Sequence, residues 1–162
     1  MDSLIKRILV YIDGTIKSIT AAQYAIALAS RTRAELYAVH VVNTRALADL
    51  VRAHIFLKEE EEEYKRDLET DADKYLNHVK NIASSKDIGV TVMAASGTVH
   101  EVIKMKVDEL KIDLLVVGEL SRIKSRRDEF FNETERAIRN VSCSVLIVKD
   151  EDRVFDIFEN LV

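Results

Sequence analysis

The stretch Asp113-Leu114-Leu115-Val116-Val117-Gly118 constrains this chain most. An unbroken apolar run containing two β-branched residues suits a strand covered on both faces, as in a parallel sheet buried between helix layers. Gly118 marks a point where the backbone turns or is closely approached. A second run of the same kind, Ser144-Val145-Leu146-Ile147-Val148, follows after a helical segment. Strand, helix and strand in that order imply an α/β fold, and the loop after Gly118 is where such a sheet would hold a ligand.

The rest of the chain fits that frame. Residues 7–12 form the first strand, closed by Asp13-Gly14-Thr15, and Ser18 or Thr20 can cap the helix that follows. Residues 34–42 read as a second interior strand, and residues 43–56 keep helical spacing through Leu47, Leu50, Val51 and Ile55. From Lys58 a long helix begins. Glu59 to Glu63 occupy its first turns, where the helix dipole favours them, and cations follow three and four residues on, so the run reads as a solvated face. Residues 90–95 make a third strand, and residues 99–110 a helix with Val102, Ile103, Val107 and Leu110 inward. Two cap signals then compete, Ser125 with Asp128 and Asn132 with Glu135. The outcome is an open, five-stranded, mostly parallel sheet with helices on both faces and right-handed crossovers, a Rossmann-like arrangement. Residues 1–150 form the domain. Residues 151–162 are too apolar for a free tail and are expected to dock, as a short helix, on this subunit or on a partner.

Composition removes several functions. A formal net charge of −4 argues against a protein that coats nucleic acid, and no apolar run approaches the length that spans a bilayer. No apolar leader precedes a small-residue cleavage site, so a cytoplasmic location is expected. Cys143 is the single cysteine and has no internal disulfide partner. His40, His54, His78 and His100 show no metal-ligand spacing, and neither a nucleophile elbow nor a Walker-type lysine motif occurs. No catalytic residue is expected, and no metal.

Residues 6–29, 96–103 and 113–148 resemble the universal stress protein family: an opening strand ending in Asp followed by a small residue, a short glycine loop after the third strand, and a long terminal block. The resemblance implies a fold related to the adenine nucleotide alpha hydrolases and a homodimer paired through the last strand, residues Ser144 to Val148, with the tail as a further contact. It also implies a place for ATP or AMP at Asp13, Val41, Val42, Gly97, Thr98 and Gly118. Asp13 reads equally as a turn residue, Val41 and Val42 as the end of a buried strand, Gly97 as a tight turn, and Thr98 as a helix cap. Members of the family that bind ATP carry G-x2-G-x9-G-[S/T] after the fourth strand. Here only Gly118 fits, because the other positions fall on Ser121, Phe131 and Asn132. Glu133 and Glu135 would sit at the helix end meant for phosphate. Against that, Arg122, Lys124, Arg126 and Arg127 crowd the same loop and could replace the glycine amides, unless they are simply a solvated basic loop. The expectation is a non-catalytic, homodimeric regulatory protein with unidentified protein partners and a degraded ATP site. A nucleotide-binding member that uses the basic loop, and an enzyme of related fold, are the alternatives.

Overall fold

The computed structural model describes residues 3–53, 57–120 and 132–162. Its five strands are β1 (Arg7–Tyr11), β2 (Glu35–Val42), β3 (Val90–Ser96), β4 (Leu114–Gly118) and β5 (Ser144–Val148). They form one sheet in the order β3-β2-β1-β4-β5, with every pairing parallel. The helices are α1 (Ile16–Thr32), α2 (Thr44–Arg52), α3 (Lys58–Ser84), α4 (Val99–Leu110), α5 (Glu133–Asn140) and α6 (Glu151–Glu159).

The two apolar layers follow from strand alternation. Ile8, Val10 and Ile12 point to one face and pack with α1, α3 and α6, while Leu9 and Tyr11 point to the other and pack with α4 and α5. The order of the strands explains the division. The chain steps outward from β1 to β2 to β3, then crosses back to β4 and β5, and right-handed crossovers of opposite direction place their helices on opposite faces. Strand order therefore reverses between β1 and β4. Ile8, Leu9 and Val10 lie beside Leu114, Leu115 and Val116 there, and all but Leu114 are fully buried.

Local chemistry fixes the ends. Asp113 lies just outside β4, where its Oδ2 accepts the N–H groups of Lys6 and Arg7 at 2.8 and 3.0 Å and so pins the start of β1. The cap of α1 is Thr15, whose side chain accepts from the N–H of Ser18. Ser18 and Thr20, the expected caps, are buried inside the first turns and donate back to the carbonyls of Thr15 and Ile16. The first turn of α1 crowds the end of β4, since a Cβ on Gly118 would stand 2.6 Å from the carbonyl oxygen of Lys17.

The long α3 is only half used. Its first buried residue is Ala72, and Leu76, Val79 and Ala83 then cover the sheet. Residues 58–71 overhang the carboxyl edge by about 21 Å at 1.5 Å per residue. Among the described residues no ion pair within 4 Å forms along α3, so the carboxylates there face water without the cation partners that their spacing suggests. The apolar tail docks on its own subunit: α6 buries Val154 and Phe158 beside α1. Lys86 closes that contact, donating to the carbonyls of Glu159 and Leu161 with its ammonium 5.1 Å from the centre of the Phe158 ring. Among the described residues no helix is long and apolar enough to cross a membrane.

Candidate functional site at the carboxyl edge of the sheet

The loop after β1 is held by its own groups. Asp13 is exposed, and its Oδ1 accepts from the N–H and the hydroxyl of Thr15 at 2.9 and 2.5 Å, which closes an Asx turn. Gly14 has φ +90° and carries no Cβ because the ring of Tyr75 lies where one would be. His40 braces the same loop from β2, with Nδ1 2.6 Å from the carbonyl oxygen of Ile12 and its ring edge-on to Tyr75. This bracing pair was not legible in the sequence, where neither residue falls in a motif.

Val41 and Val42 are buried, and their apolar side chains belong to the layered core. The carbonyl of Val42 accepts the N–H of Gly97 at 3.0 Å, so the β3 turn is stitched to the end of β2. Gly97 has φ +142°, a conformation that favours glycine. Thr98 stands at the N-cap position of α4 with extended backbone, but its side chain makes no capping hydrogen bond.

That vacancy is filled from α5. The Oε2 of Glu133 accepts the backbone N–H of His100 at 3.2 Å and lies 2.7 Å from its Nδ1, while Oε1 meets Arg136 at 3.2 Å. The Glu133 side chain is 15% exposed, so this carboxylate is largely withdrawn from water. It is an internal anion placed on a helix N-terminus, where the backbone donors and dipole favour negative charge. Glu133 thus does occupy a helix end, but the end belongs to α4. Its own helix is capped by Asn132, whose side-chain oxygen accepts from the N–H of Glu135 and whose side-chain amide donates to the Glu135 carboxylate. Tyr11, buried at the end of β1, feels the carboxylates of both Asp13 and Glu133. Burial pushes its phenol up from the ordinary 10.0, and the charges of Asp13 and Glu133 push it further.

Beside these groups lies a cleft of about 230 Å³, lined by Asn43, Arg45, Asp49, Thr98, His100 and Glu133 among others. A pocket for a drug-sized ligand usually starts at roughly 300 Å³, and the described residues enclose less than that here. Of the residues named from the sequence, the structure brings Thr98 to the cleft, while Asp13, Val41, Val42, Gly97 and Gly118 are not part of its lining. Gly118 is occupied with helix packing. Ser121, Arg122, Lys124 and Arg127 lie outside the described residues, as does the competing cap at Ser125. The pairing of His100 with Glu133 could have been suspected only from a carboxylate opening one helix and a histidine opening another. Cys143 is half buried, with burial pushing its thiol up, and among the described residues no cluster of His, Cys, Asp and Glu is placed to hold a metal ion.

Comparison with known proteins agrees with this architecture. A model of the universal stress protein family matches residues 4–149. A universal stress protein of Methanocaldococcus jannaschii is 28% identical over 149 residues, which cover 91% of this chain and 84% of that one. The structure of the universal stress protein UspA from Lactobacillus plantarum is similar at a TM-score of 0.70 and 19% identity, over 90% of this chain and 98% of that one. A universal stress protein family member from Arabidopsis thaliana, solved with AMP bound, is similar at a TM-score of 0.64 and 15% identity, over 91% and 94%.

Proposed function

Because the chain belongs to the universal stress protein family, we propose that it is a non-catalytic, homodimeric stress-response protein that works through protein contacts and holds no ATP at the carboxyl edge of its sheet. The observation that supports this reading is the Glu133 carboxylate seated on the N-terminus of α4. A phosphate brought within about 4 Å of that carboxylate would be repelled by about 4 kcal/mol per unit charge at an effective dielectric of 20. That is roughly a thousandfold in affinity. The site also lacks the glycines that would offset the loss, since its one matching glycine, Gly118, is committed to the contact with Lys17.

A second reading is favoured by one specific feature: Arg45 and His100 line the cleft beside Thr98, and a relative of the same fold was solved with AMP. In this reading a nucleoside monophosphate would be held by Asp13, Val42, Gly97 and Gly118, with Arg122, Lys124 and Arg127 on the phosphate. Calorimetric titration with Mg-ATP and with AMP separates the two. No saturable heat up to millimolar ligand is expected for the native chain, with a gain of anion affinity in Glu133→Gln. Micromolar binding by the native chain, lost in Asp13→Ala, would replace the first reading with the second.

A further inference from the structure

The family model ends at residue 149, so α6 lies outside the shared domain. We infer that the groove between α6 and α1 binds a medium-chain fatty acid, with the acyl chain on an apolar floor and the carboxylate held by Arg31 and Arg153. The groove shares no residue with the cleft at the carboxyl edge, and the proposal is independent of how that cleft is read.

Helical spacing builds the groove. Ala27 and Arg31 are one turn apart on α1, and Arg153 and Ile157 follow the same spacing on α6, with Leu161 just past its end. Ala27 is small and buried, which leaves a notch between the helices that a longer side chain would fill. Both ends of α6 are fixed. Asp150 accepts the N–H of Arg153 at 3.2 Å, and Lys86 donates to the carbonyls of Glu159 and Leu161, so the groove is formed before any ligand arrives. Its volume is about 390 Å³, above the roughly 300 Å³ at which pockets for small organic ligands begin.

The lining selects the ligand. It is mostly apolar, which suits hydrocarbon. The walls are helices whose interior N–H and C=O groups are already paired, and the Asn160 side-chain amide donates to the Asp156 carbonyl at 2.8 Å. An extended peptide would find few partners there for its own backbone, whereas an acyl chain needs none. Arg31 and Arg153 are exposed at the rim, and among the described residues neither guanidinium has an ion-pair or hydrogen-bond partner. Two forked cations suit a carboxylate. Asp156 is the one carboxylate of the lining, so two cations stand against one anion and the rim stays positive.

The test is a chemical-shift titration of the isotope-labelled full chain with decanoate, kept below its micelle range. Saturable binding below about 1 mM is expected, with the largest shifts at the amides of Ala27, Ile157 and Leu161. Decanol and decyltrimethylammonium, of the same chain length, are expected to bind about tenfold more weakly or worse. The double variant Arg31→Gln with Arg153→Gln should weaken decanoate about tenfold, and Asp156→Asn should strengthen it. Ala27→Leu fills the floor and should abolish binding; should that replacement unfold the chain, the rim variants still decide, because their side chains are exposed. Equal affinity for decanoate and decyltrimethylammonium, or decanoate binding unchanged in the double variant, would overturn the assignment. So would the absence of saturable shifts up to millimolar decanoate. Shifts at the same amides on diluting the free protein would give the groove to a second copy, and shifts with an acidic leucine-containing peptide but not with decanoate would give it to a protein partner.

Discussion

At Gly118 a single methyl group decides whether α1 can sit on the sheet. A Cβ there would lie 2.6 Å from the carbonyl oxygen of Lys17, which is helix backbone and cannot swing aside. Gly118→Ala is expected to lower unfolding stability by about 2 kcal/mol in a urea titration, the usual scale of overpacking. Gly89→Ala is the control, since nothing lies within 4 Å of its Cβ position, and it should be neutral or slightly stabilising through the unfolded chain. Tyr11 gives a residue-scale prediction in pH. Its folded-state phenol is raised, first by burial and then by Asp13 and Glu133, so the folded state keeps its proton where the unfolded state has lost it. Stability is therefore expected to fall as pH rises above about 10, and Tyr11→Phe should flatten that loss in thermal melts at alkaline pH. Single positions were the part least legible in the sequence. The sequence marks Gly118 as a turn or a close approach without its partner, and sets Glu133 against phosphate on its own helix, because nothing in spacing says which helix end a side chain will reach.

Elements were more legible, since periodicity reports burial directly. The interior strands β1, β2 and β4 and the helix Val99–Leu110 appear within a residue or so of where their apolar patterns put them. The sequence offers Ser18 or Thr20 as the cap of α1 where the structure uses Thr15, because all three carry the same hydroxyl chemistry and only the helix start tells a cap from a buried back-bonded residue. In α3, helical pattern and burial part company: residues 58–71 form helix without packing on the sheet. Amide hydrogen exchange should show that difference as fast exchange before Ala72 and slow exchange through Leu76, Val79 and Ala83. For α6, burial of Phe158 beneath Lys86 implies that Phe158→Ala costs about 3 to 5 kcal/mol. A denaturant midpoint shift too small to detect would mean that the helix adds little to the core.

At the scale of the whole molecule, β5, the strand through which the family resemblance implies pairing, contains no charged side chain. A dimer of twice the 18.4 kDa chain mass is therefore expected by light scattering at both low salt and about 1 M salt, because screening acts on charges and not on apolar strand pairing. Fold class and strand count could be read from the chain because they depend on apolar patterning, while association enters only through the family resemblance, because it depends on which edge the finished sheet leaves bare. Residues 58–71 hold eight carboxylates against three cations, a net of −5, while the complete chain carries −4. The free end of α3 is therefore a concentrated anionic pole, and a partner that docks there must bring cations of its own.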